Sequence, residues 1–181
     1  MSSRARKELQ RQLEDIGELT LAHEKLTGKK RGRRWKGGAI VRAGVVLLSA
    51  ATEAFVGDLF NEAVELIFNQ LSNDQRKEFY RHTNKRFRAA RPFDINMLYF
   101  NLGLPFVLND IRWQKCSNKV LCQKLEKLVE TRNKIAHGTS VSVQLASLRS
   151  WKIMVEQLSL KLEEKVVKHI EETAGKRPSW D

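Results

Sequence analysis

The sequence predicts an all-α helical bundle with long central and C-terminal helices. Apolar residues recur every third or fourth position over most of its 181 residues, and no segment sustains the two-residue alternation of a half-buried strand. Only 3 prolines and 10 glycines punctuate the chain, which excludes fibrous and low-complexity architectures. With 41% apolar and 30% charged residues, a chain of this length buries on the order of two thirds of its unfolded surface and needs no covalent staples.

The first predicted helix runs from about Arg4 to Leu26. Leu9, Leu13, Ile16 and Leu19 or Thr20 form its apolar stripe, opposite Arg6, Lys7, Glu14, Asp15 and Glu18. A glycine-bracketed basic loop at 28–38 breaks it. From Ala39 to Leu71, Val41, Val45, Leu48, Thr52, Phe55, Leu59, Ala63, Leu66 and Ile67 predict the long central helix. Ser72, Asn73 and Asp74 supply a break and a cap for a short basic helix from Gln75 to about Arg88, which Pro92 stops. Asp94 is placed to cap a helix through Met97, Leu98 and Phe100, ended by Gly103 and Pro105. Ile111 to Trp113 carries no decisive pattern. Ser117 is a good N-cap for a helix from Asn118 with Val120, Leu121, Leu125, Leu128 and Val129 buried, and Gly138 suits its C′ position. The last helix spans about Leu145 to Glu172. The remaining Phe, Leu and Met stripes are expected in the core. Residues 1–172 therefore read as one helical domain, and 173–181 as a flexible tail.

Charge narrows the functional classes. Lys and Arg number 33 against 21 Asp and Glu, a formal net charge of +12. Residues 1–42 hold 12 basic and 5 acidic residues, and residues 73–91 hold 7 and 2, while 43–72 hold no basic residue and 4 acidic ones. Such an excess favours polyanionic partners through attraction and counterion release, and nucleic acid is the natural one, although a solvated basic surface carries the same excess. The longest uncharged apolar stretch, Ala43 to Thr52, is about half a bilayer span, and the N-terminus lacks an apolar signal core. No membrane association is expected. Two cysteines, Cys116 and Cys122, suit reduced thiols in a cytoplasmic protein, and the 4 scattered histidines offer no metal set. Neither a metal nor another cofactor is expected.

The chemistry concentrates in Arg132-Asn133-Lys134-Ile135-Ala136-His137-Gly138. A histidine can move protons near neutrality, an arginine fork matches phosphate oxygens, and Asn133 can hydrogen-bond phosphate or ribose. RNA cleavage by its own 2′-hydroxyl needs a proton relay and a cation that offsets charge building on the phosphorus oxygens. Five helical steps rotate by roughly 140° beyond a full turn, so a straight helix splays Arg132 from His137. Either the helix ends before His137, or each residue meets partners from a second subunit.

Arg132 and His137, written Arg-x4-His in this heptad, resemble the signature of the HEPN superfamily, and Leu48-Ser-Ala-Ala-Thr-Glu-Ala-Phe-Val-Gly-Asp-Leu59 is similar to the second-helix pattern of RiboL-PSP-HEPN domains. The resemblance covers roughly residues 40–172. It implies an all-helical domain, a homodimer in which motif helices of two subunits form one RNA-cleaving cleft, and an endoribonuclease of toxin–antitoxin or antiviral defence type. Arg132, His137 and Asn133 carry over as catalytic, with Glu53 and Asp58 as acidic residues near the cleft. The resemblance also implies a restraining antitoxin or defence-system partner. Some toxin branches carry a tyrosine two residues after the histidine, where this chain has Thr139, so regulation by modification there does not carry over.

Each of these residues also has a plainer reading. His137 could merely cap a helix end, Arg132 could pair with Glu126, Glu130 or the helix end, and Glu53, on a face with Ala50 and Ala54, could be a buried polar tie to an arginine such as Arg132. His23, His82 and His169 read as surface residues. Lys29, Lys30, Arg31, Arg33 and Arg34, with Trp35, could hold RNA or form a solvated loop. Arg81, Lys85 and Arg88, with Arg76, Lys77, Arg86 and Arg91, line one side of a helix suited to a phosphate backbone.

Overall fold

A computed structural model describes residues 2–28, 37–84, 87–175 and 177–180. Six helices are present among them: α1 (Arg4–Thr27), α2 (Gly38–Ile67), α3 (Asn73–Asn84), α4 (Pro92–Phe100), α5 (Asn118–Ala136) and α6 (Leu145–Ala174). Central α2 packs against all five others. Val45, Leu48, Phe55, Leu59 and Phe60 of α2 meet Leu9, Leu13 and Ile16 of α1, Leu121 and Leu125 of α5, and Leu158 and Leu162 of α6 in one continuous core. Among the described residues α2 is the one helix long and apolar enough to cross a membrane, and half of that stretch is buried inside the bundle.

The helix ends follow from local chemistry. The Ser72 hydroxyl accepts from Gln75 N–H (3.3 Å) while Gln75 Oε1 accepts from Ser72 N–H (2.9 Å), a reciprocal capping box at the start of α3. Helix α2 ends at Ile67, earlier than its apolar pattern suggests, because Phe68 turns to meet Phe79 of α3 at 5.5 Å between ring centres. Pro92 does not merely stop a helix. It is the first residue of α4, where its missing N–H costs nothing, and Asp94 lies in the first turn instead of capping it. The segment at Ile111–Trp113 forms a tight turn in which the Trp113 and Cys116 backbones exchange hydrogen bonds.

Three expectations are revised, and the start of α1 is tied into the bundle by two carboxylates. Glu62 of α2 accepts from the N–H groups of Ala5 (2.7 Å) and Arg4 (3.3 Å). Glu163 of α6 accepts from Ser3 N–H (2.8 Å), Ser3 Oγ (2.5 Å) and Arg6 Nη1 (2.6 Å). Two buried carboxylates thus satisfy the orphan donors and positive dipole end of α1. His23 is buried on the inner face of α1, so close to Gly37 (φ +86°) that a Cβ there would lie 2.7 Å from its ring. His169 is half-buried with Nε2 2.8 Å from the Leu102 carbonyl, whereas His82 is exposed beside Glu78. The segment expected to be a free tail packs back: Pro178 is buried and Trp180 rests against the core. Finally, Phe93, Met97 and Phe100 are exposed, because α4 spends its inner face, Ile95, Leu98 and Tyr99, on the core and nothing covers the outer one.

Candidate active site at the end of α5

Helix α5 begins where Ser117 Oγ accepts from Val120 N–H and ends at Ala136. Its C-terminus is closed by two backbone bonds, Thr139 N–H to the Lys134 carbonyl (2.9 Å) and Gly138 N–H to the Ile135 carbonyl (3.1 Å). This is the Schellman arrangement, and it requires the left-handed φ of +73° that Gly138 adopts. His137 is the C-cap residue at φ −86° and ψ 14°, already out of helical register.

Arg132 leans across to α2. Its Nη2 donates to Glu53 Oε1 at 2.5 Å and its Nη1 to Asn133 Oδ1 at 3.0 Å. Ser49, one turn earlier on α2, donates its hydroxyl to the same Glu53 oxygen at 3.2 Å. The two charged side chains are 26% and 21% exposed, so the pair is shielded without being sealed. The other partners conceivable for Arg132 are otherwise engaged: Glu126 binds Arg91 at 2.7 Å, and Glu130 lies 4.0 Å from Lys127. The arginine is therefore held in one orientation, with its fork shared between a carboxylate and an amide.

His137 is exposed, and its ring makes no hydrogen bond or ion pair among the described residues. The capping is done by its backbone N–H, which donates to the Asn133 carbonyl at 2.9 Å. Among the described residues the ring therefore takes no part in closing the helix end. A fixed guanidinium, an amide and an imidazole unengaged among the described residues thus lie within six residues at the end of α5.

Asp58 lies elsewhere. It follows Glu53 by five helical steps, roughly 140° around α2 beyond a full turn, and faces α1. There partial burial and the neighbouring Glu8 push its carboxyl above the usual range. The structure does not bring it to Arg132. Arg81 is exposed on α3 and pairs with Glu78 at 2.9 Å, and Arg88 is exposed without an ion pair among the described residues. Lys29, Lys30, Arg31, Arg33, Arg34 and Lys85 lie outside the described residues. Among the described residues no three His, Cys, Asp or Glu side chains converge as metal ligands.

One feature beside the site escaped the sequence pattern. Ala43, Val46, Leu47, Ala50 and Ala54 line an exposed apolar stripe of α2, with Glu53 at its edge. An apolar signal all round the helix hides which face remains bare.

The fold and this motif define an all-α domain of the HEPN type. The RiboL-PSP-HEPN family model matches residues 5–168, α1 included, and the chain belongs to that family. HEPN-type domains include RNases, and they commonly bind RNA and dimerise. Neither the curated proteins nor the solved structures yield a match.

Proposed function

We propose that this chain is a metal-independent endoribonuclease, working as a cytoplasmic homodimer and serving as the toxin or effector of a toxin–antitoxin or anti-phage defence system. The observation that carries the reading is a braced Arg132 and, five residues on at the end of the same helix, an exposed His137 whose ring is unengaged among the described residues. His137 takes the proton from a ribose 2′-hydroxyl, whose oxygen then attacks the adjacent phosphorus. The bond to the 5′-oxygen breaks as that oxygen receives a proton, leaving a 2′,3′-cyclic phosphate and a 5′-hydroxyl. Arg132 offsets charge on the non-bridging oxygens, and Asn133 positions the backbone.

One chain supplies one histidine at this site, whereas the reaction uses a base and an acid. A second copy facing the first across the bare α2 stripe supplies the other, since that stripe borders Glu53 and an exposed apolar face asks for a partner. The surplus of 33 basic over 21 acidic residues supplies affinity for RNA without sequence readout. A nuclease of this kind is restrained by a partner protein or an activating signal.

A second reading, a non-catalytic RNA-binding or protein-interaction module, draws on the Arg132–Glu53 pair, which also serves as a structural tie between α2 and α5. The two separate in one experiment. Wild-type protein and His137→Ala are incubated with RNA in excess EDTA. Cleavage by the wild type, lowered at least about 100-fold in the variant and leaving cyclic-phosphate ends, is the expected result. Equal cleavage by both sinks the site assignment. RNA binding by both without cleavage selects the module.

A further inference from the structure

Helix α4 carries an aromatic face that the bundle leaves uncovered. Phe93, Met97 and Phe100 recur at i, i+4 and i+7, line one stripe, and are 70%, 46% and 59% exposed. Just beyond the helix Phe106 is 65% exposed at φ +54°, a strained conformation for a residue with a side chain. The segment that displays it is pinned. Asn96 Oδ1 accepts from Leu108 N–H (3.0 Å), Asn118 Nδ2 donates to the Leu108 carbonyl (2.6 Å), and Lys165 Nζ donates to the carbonyls of Val107 and Asn109. Asn96 neighbours Phe93 and Phe100 on the helix surface, so its bond to Leu108 sets the loop alongside the stripe.

The approach to this face is basic. Residues 73–91, which lead into α4, hold 7 basic and 2 acidic residues. Arg88 is exposed, and Arg91 ties the start of the stripe to Glu126 of α5 at 2.7 Å. Glu126 precedes Arg132 by six residues, about 9 Å along the helix axis. The 7 basic against 2 acidic residues that lead into this face favour a polyanionic occupant.

We propose that the α4 face is a stacking platform for single-stranded RNA. Bases lie on Phe93, Phe100 and Phe106, while Arg81 of α3 and Arg88 hold phosphates. Every base has a π face, so such a platform is indifferent to sequence and selective for unpaired strands. The inference rests on the RNA-cleaving reading and adds a substrate class to it: an unpaired strand led from α4 toward the end of α5.

The test uses the full chain carrying His137→Ala, so that bound RNA is not cut. Labelled single-stranded and duplex oligoribonucleotides of equal length are titrated over a salt series. Phe93→Leu with Phe100→Leu keeps the apolar area and removes the rings. It is expected to weaken single-strand binding about tenfold or more, with duplex binding and salt slope unchanged, because no phosphate contact is lost. Phe93→Trp with Phe100→Trp is expected to bind at least as well as the parent. A leucine variant that binds like the parent overturns the platform, and so does an equal loss for both RNA forms. A Phe100→Glu variant that dissolves an oligomer while RNA binding persists identifies a protein-docking face and also overturns it. Cleavage by the unmutated chain, together with unaltered binding by the leucine variant, removes the platform alone. No RNA binding by the parent in low salt removes both readings.

Discussion

Helix α2 contributes a glutamate to each of two polar clusters, and the two differ in completeness. At the start of α1, Glu62 and its companion Glu163 are buried, and their oxygens accept from backbone N–H groups, a hydroxyl and Arg6. At the end of α5, Glu53 and Arg132 are partly open to solvent, and five residues on from Arg132 stands a histidine whose ring makes no bond among the described residues. In the first cluster both carboxylates are spent on donors from the start of α1, backbone and side chain, with Arg6 Nε alone of them left buried without a partner. The second leaves hydrogen-bonding capacity unspent at the surface. Acidic and basic residues alone do not separate a clamp from a site; the unspent capacity does.

The comparison can be broken by substitution. Glu163→Ala should have the largest effect on stability, because it strands Arg6 and the Ser3 donors in a buried place. A loss on the order of 3 kcal/mol is expected, about 6–12 °C in Tm, and a thermal melt reads it. An unchanged Tm would remove the clamp from the account. Glu53→Gln keeps the Ser49 contact and the shape but removes the charge that orients Arg132. Cleavage should slow by about tenfold, with Tm lowered by no more than about 3 °C. A larger stability loss than activity loss would make Glu53 a structural tie, like Glu163.

Asp58→Asn should have the smallest effect and reports on the α1 side of α2. The folded-state pKa of Asp58 lies above its unfolded value, so the folded chain holds that proton more tightly. Its ionisation therefore costs stability as pH rises through this window. The variant should melt slightly higher than wild type at pH 7, and the gain should vanish below about pH 3. Cleavage should be unchanged, since Asp58 faces Glu8 and not Arg132. A cleavage defect would return it to the cleft.

Much of the helical framework was legible because it is written in local signals. The Ser117 cap, the Gly138 turn and the break at Ser72–Asp74 each act within a few residues, and the structure reproduces each of them. The pairing of Glu53 with an arginine could be named from its place on a small-residue face, and Arg132 is the arginine that meets it. Other features were illegible for one reason. Glu53 and Asp58 look alike in a helical pattern, yet α5 covers one edge of α2 and α1 the other. His23 looks like a surface histidine until Gly37 is laid against it. Phe93, Met97 and Phe100 look like core until α4 turns its other face inward.

The sequence by itself determined the helices, their caps, the basic excess and the Arg-x4-His motif, because periodicity, capping and composition act over one or two turns. Only the tertiary structure decided which faces are spent. Burial depends on what packs opposite, and that partner comes from distant chain: Glu163 closing α1, Glu53 holding Arg132, and nothing among the described residues covering the outer face of α4.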